Sequence, residues 1–214
     1  MQTLWTFSAH TLLALVLFVT VTSITPGPNN LMLLHGGIRA GFNACRLHML
    51  GISLGCGLMV WLSYIGLAEL VMRHPFIFLG LKVVGSVYLS WLTYVLWRDG
   101  VLPPPANELS QKTWRLPLSF WQAVWFQFLN PKAWAMVLMV PSIAMLTGTH
   151  VWFASLAVVA VFVIINLLCI SVWAYGGQAL QGLWRRPQLL RAVHAAVVLM
   201  AAYCVVAIWL PSAG

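Results

Sequence analysis

Two stretches of this 214-residue chain stop a helix in the middle of apolar sequence: Thr25-Pro26-Gly27-Pro28-Asn29-Asn30, and Leu129-Asn130-Pro131-Lys132 about a hundred residues later. Proline lacks an N–H and its ring clashes with the preceding turn, so no helix runs undisturbed through either stretch. The surroundings make this restrictive. The chain is 62% hydrophobic and only 7% charged, whereas an ordinary soluble domain is about a quarter charged. That argues against a soluble fold and makes lipid the expected solvent. Backbone groups freed by a break find no water in hydrocarbon. Interrupted helices at membrane depth are therefore tolerated where they are buried in protein or line a polar cavity.

Six apolar segments can be marked, at roughly 8–34 (broken at Pro26), 47–69, 76–97, 119–146 (broken at Pro131), 151–175 and 191–211. A span needs roughly 20 apolar residues, so the chain reads as one all-α membrane domain, 1–214, with six transmembrane helices. The link 98–118 holds Pro103-Pro104-Pro105 and Asn107-Glu108 and reads as a polar surface loop. It separates halves of about 1–97 and 119–214, each with three spans. Because three is odd, similar halves would lie in opposite orientations, as two inverted three-helix repeats with broken first and fourth helices. The N-terminus has no basic region before its apolar stretch, which suits a retained first span more than a cleaved signal.

The net charge of +8 comes from 11 Lys and Arg scattered through short loops. No basic face or aromatic-interleaved groove suits nucleic acid. The charges fit a topology signal instead. Loops after the first, third and fifth spans carry Arg39, Arg46, Arg98, Lys112, Arg115, Arg185, Arg186 and Arg191, while the links after the second and fourth carry Arg73 alone. By the positive-inside rule both termini face away from the cytoplasm. Tryptophans 97, 114, 121, 152, 184 and 209 fall near span ends and read as interfacial anchors. Gly51, Ser53, Gly55 and Gly57 form small-xxx-small pairs that let backbones approach closely.

Lys82 and Lys132 remain once the loops are counted. Lys82 lies about six residues into its span, roughly 9 Å at helical rise, from where its stem can snorkel to the interface. Lys132 lies about a dozen residues in, roughly 18 Å deep. A lysine at that depth costs about 2.5–3.5 kcal/mol on insertion scales and needs a partner. Glu69, Asp99 and Glu108 are all near span ends or in loops. The partner is then the substrate's anion, carbonyls freed at the proline break, or a water funnel.

Further polar residues fall on helical faces: Lys82, Ser86, Ser90 and Thr93 on the third span; Gln127, Asn130 and Trp134 on the fourth; Asn166 and Trp173 on the fifth. Each stripe lines a polar path or is interhelical hydrogen-bond glue. For Asn29, Asn30 and Asn130 a binding role is favoured, because broken helices expose N–H groups that suit a carboxylate. Catalytic motifs such as H-E-x-x-H, G-x-S-x-G or a phosphate-cradling glycine loop are absent, and the dispersed Cys and His have no metal spacing. No enzyme activity, cofactor or metal is expected. Two breaks, one per half, point to a carrier's binding site.

These residues resemble the LysE/RhtB amino-acid exporters. The likeness runs through Thr25–Asn30, Gly36 to Gly41, Gly85-x-x-Tyr88-Leu89, Gln127–Lys132, and Asn166 through Trp173-Ala174 to Gly177, nearly the whole chain. It implies an exporter of amino acids in the bacterial inner membrane, multi-pass and driven by the proton gradient. Within the family the pattern is similar to exporters of small neutral amino acids, including the cysteine and O-acetylserine type. The polar residues of the spans and the matching motifs together give the candidate substrate-binding residues Pro26, Gly27, Pro28, Asn29, Asn30, Lys82, Tyr88, Asn130, Pro131, Lys132 and Asn166. The partners are an amino acid and the bilayer, with the assembly open between monomer and homo-oligomer. One departure is Cys56, where some members carry an acidic residue. Rival readings are a membrane-embedded enzyme or assembly subunit handling lipid or precursor, and an inorganic cation exporter, against which Lys132 in an uncharged path argues.

Overall fold

Proline chemistry cuts the first and fourth apolar segments into half-helices, and the rest of the fold is built around those cuts. The computed structural model describes residues 8–99, 118–146 and 151–210. Its helices are α1 (Ala9–Ile24), α2 (Pro28–Ala40), α3 (Arg46–Leu62), α4 (Ala68–Arg73), α5 (Pro75–Asp99), α6 (Phe120–Leu129), α7 (Pro131–Ile143), α8 (Val151–Ala179) and α9 (Pro187–Ala207). No strand occurs among the described residues. Most of the linker, with Pro103–Pro105, Lys112 and Trp114, lies outside them, as do the side chains of Trp152, Trp184 and Arg185.

The two breaks share a construction. α1 ends at Thr25, whose N–H still reaches Val21 O at 3.3 Å, because Pro26 has no N–H to continue the ladder. After Gly27 a new helix starts with Pro28 in its first turn, where a missing donor costs nothing, and α2 leaves α1 at 57°. α6 stops in the same way at Asn130. The Asn130 side chain caps α7 by accepting from Lys132 N at 3.1 Å, with Pro131 again in the first turn. At its other end α6 is fixed by a reciprocal capping box between Ser119 and Gln122.

Helices of one half lie along those of the other. α3 packs against α6, α7 and α8, and α8 packs against α1, α2 and α3. Each broken helix thus rests on the long helix of the opposite half. Close approach is needed where α2 crosses α8. A Cβ on Gly37 would collide with Ala174 O, and one on Gly177 with Leu34 O, so backbone lies on backbone there. Gly51 and Gly55 play the same part against α6, facing Ala123 and Val124. These glycines serve packing, as small-xxx-small pairs do in lipid. α5 and α9 pair with one another at the periphery.

Large apolar side chains face outward along the bundle, among them Leu13, Leu17, Val87, Leu168, Val172, Leu199 and Tyr203. In water such a belt is an aggregation hazard; in a bilayer it is the lipid-facing surface. Among the described residues, four stretches are long and apolar enough to cross a membrane: Phe42–Leu67, Pro75–Arg98, Phe153–Gly182 and Gln188–Ala207. The bent pair α1 and α2 makes a fifth when counted together. The remaining segment of the six expected is cut into α6, of 10 residues, and α7, of 13, and neither is a span by itself. The run Phe42–Leu67 is not uniformly α-helical. It closes in a wide π turn over 63–67, where Gly66 takes φ 116°, a value other residues rarely adopt.

Candidate functional site

Where the breaks meet, Lys132 finds its partners. Its Nζ donates to Thr25 O at 2.6 Å, to Thr25 Oγ1 at 3.0 Å and to Pro26 O at 3.3 Å. Of the three partners left open by the sequence, freed carbonyls are the ones found here, and they belong to the other break, 107 residues away. Both carbonyls lie just past the last residue of α1, where the break leaves them outside the helical ladder, at the negative end of the α1 dipole. The stem reaches them by crossing Gly27. A Cβ there would sit 2.7 Å from Lys132 Cδ and 3.0 Å from Nζ.

Beside the lysine, amides bridge the halves. Asn29 Nδ2 donates to Gln127 Oε1 at 2.8 Å, and Gln127 Nε2 returns a bond to Asn29 Oδ1 at 3.3 Å. Gln127 also donates to Ala123 O at 2.8 Å and accepts from the Cys56 thiol at 3.5 Å. Asn30 spans the first break, donating to Ser23 O and Thr25 O at 2.8 Å each. Asn166 of α8 donates to Ser23 Oγ at 2.9 Å and accepts from Ser53 of α3 at 2.9 Å. Asn30, Ser53, Gln127, Asn130 and Asn166 are all buried. Buried amides without partners would be costly, and bonds of this length satisfy them.

These groups enclose a small cavity whose walls include Asn29, Asn30, Cys56, Asn130, Lys132 and Asn166. Its free space for a water centre is about 20 Å³, enough for roughly one water. No carboxylate is among its described walls. The arrangement is therefore closed, with protein groups occupying each other's bonding capacity.

Of the residues implied by the sequence, Gly27, Asn29, Asn30, Asn130, Lys132 and Asn166 meet here, while Pro26, Pro28 and Pro131 shape the breaks. Lys82 and Tyr88 lie elsewhere. Lys82 sits 5.9 Å from the Trp209 ring, whose Nε1 donates to Ser86 at 2.9 Å, so that stripe joins α5 to α9. Tyr88 stacks 4.8 Å from Phe126 and lines an open groove of about 890 Å³ with Trp91, Trp121 and Trp125. Ser23, Ser53 and Cys56 were not singled out by the sequence as site residues. Ser53 was legible only as a packing position, and nothing local marks Cys56 as a neighbour of Gln127.

Half-helices whose ends meet in a polar cavity, with no carboxylate among its described walls, inside an apolar bundle are the arrangement of a membrane carrier. The family model described as LysE type translocator matches residues 20–209. The chain belongs to that family, and is a transporter and not an enzyme. Similar relatives include the cysteine/O-acetylserine efflux proteins of Escherichia coli K12, Shigella sonnei and Shigella flexneri, each 29% identical over 193 residues, which is 90% of this chain and 94% of the relative. No solved structure matches.

Proposed function

We propose that this chain exports small amino acids, in the size range of cysteine and O-acetylserine, through the site where the two breaks meet. The observation that carries the reading is the Lys132 ammonium at the junction of both half-helix pairs, in a cavity without a carboxylate among its described walls. A substrate carboxylate is drawn there by the lysine and by the first-turn amides of α2 and α7, the positive ends of two helices. Support for the substrate class comes from the names of the relatives; the cavity, with room for roughly one water, must widen to admit any amino acid. Trp173 Nε1, bonded to Ile24 O at 3.0 Å, holds α8 against the end of α1 and so belongs to the frame of the site.

The finer features follow from the sequence. Eight Lys and Arg on one set of loops against one on the other support a periplasmic location for both termini, with the chain in the inner membrane. The halves act as inverted repeats that rock around the shared site, and the proton gradient drives export. The exchange of packing partners between α3 and α8 supports the repeat reading, since each plays the same part toward the opposite broken helix. The test is uptake of a panel of labelled amino acids into inverted vesicles, with and without a proton gradient. Accumulation of small neutral amino acids, lost when the gradient is collapsed, is the expected result. Accumulation of none of the panel overturns the substrate class, and gradient-independent accumulation overturns the coupling.

A further inference from the structure

Lys132 is the only lysine bonded to the first break among the hydrogen bonds described, and the manner of its binding says what else fits there. Three oxygens, Thr25 O, Thr25 Oγ1 and Pro26 O, surround one ammonium at 2.6, 3.0 and 3.3 Å. Three acceptors match the three donors of a primary ammonium. The groups are neutral, and they sit at the C-terminal, negative end of α1. Thr25 and Pro26 are exposed, whereas Gly27 and Asn30 behind them are buried. The oxygens can thus be approached without first opening the amide-lined cavity. Gly27 leaves the path of the lysine stem clear.

We propose that this oxygen cradle is the binding site for the α-ammonium of the substrate, and that Lys132 fills it only while the carrier is empty. On loading, the substrate ammonium takes over the three oxygens and the displaced Lys132 ammonium pairs with the substrate carboxylate. Both changes are exchanges of hydrogen-bond partners, with no proton or electron transferred. The arrangement explains how a cavity with no carboxylate among its described walls accepts a zwitterion. It also sets a rule of selection. A carboxylic acid without an amine leaves the cradle empty when it draws Lys132 away, and a simple amine competes with the lysine but leaves it unpaired. Only a zwitterion satisfies both ends. The inference rests on the reading that the junction of the breaks is the substrate site.

The test uses purified full-length protein in nanodiscs. Lys132→Ala empties the cradle, so propylammonium should raise the unfolding temperature of this variant by about 2–4 °C at saturation. Tetramethylammonium, which has no N–H, should have no effect, and neither ion should act on wild type. Stabilisation by sodium and not by propylammonium, or by neither, overturns the cradle. The second variant, Thr25→Val, keeps the lysine and removes one oxygen at nearly constant shape. It should weaken binding of an amino acid about three- to tenfold while leaving its deaminated acid unchanged. Equal losses for both ligands overturn the proposal, and this arm stands even where Lys132→Ala does not fold. Propylammonium binding by a chain that exports no amino acid would support the cradle and remove the proposed function. Amino-acid export with no amine effect and no discrimination in Thr25→Val would do the reverse.

Discussion

At Lys132 a single side chain holds together two elements that are far apart in sequence, so changes at this position and across from it separate binding from architecture. Lys132→Met should lower export at least tenfold, with protein level held or raised, because removing a deep lysine also removes an insertion cost of about 2.5–3.5 kcal/mol. Lys132→Arg should retain part of the activity, since its guanidinium still carries charge but does not match a three-oxygen cradle. Transport and immunoblot on the same cells check both. In wild type, an esterified amino acid should compete poorly with the free acid; equal competition rules out a carboxylate contact. Gly27→Ala probes the same contact from the other side. The new Cβ would stand 2.7 Å from Lys132 Cδ, and the flexible stem must move aside. Export should fall while thermal stability stays near wild type, and a large stability loss with unchanged export would contradict this.

Among the elements, the half-helices and the crossing of α2 with α8 make different demands. Pro26→Ala and Pro131→Ala restore a donor and favour a continuous helix, which should reduce transport far more than insertion. Normal export by both inserted variants would mean that the breaks are structural. Gly37→Ala should act on stability, because its Cβ would strike the Ala174 carbonyl, and backbone yields less than a side chain. Overpacking of this kind costs about 1–3 kcal/mol, to be read as a lowered unfolding temperature in detergent. The breaks were legible in sequence because proline acts on its own turn. Gly51 and Gly55 were legible as packing positions because their spacing is helical. The Lys132–Thr25 and Asn29–Gln127 bonds were not legible, since they join residues 107 and 98 apart and depend on how the halves dock. Lys82 and Ser86 showed the opposite problem. Their helical spacing suggested a polar path, and the structure spends the stripe on holding Trp209 of the neighbouring helix.

For the whole molecule, orientation in the membrane is the feature most open to a direct measurement. Single cysteines at positions 104 and 213, in an otherwise cysteine-free chain, should react differently with an impermeant reagent in intact cells. Position 213 should label and position 104 should not. The reverse pattern would invert the topology drawn from the eight-to-one charge asymmetry.

The packing of α1 and α2 on α8, and of α6 on α3, also bears on how the protein is made. A chain leaves the ribosome from its N-terminus, so Asn29 and Asn30 reach the bilayer long before Gln127 and Asn166 exist. During that interval Asn29 lacks its amide partner and Ser23 lacks Asn166. The first three spans are then a polar-bearing intermediate, exposed to membrane proteases until translation is nearly complete. Chains truncated before α8 should be cleared quickly, and the two halves, synthesised as separate polypeptides in one cell, should protect each other from degradation.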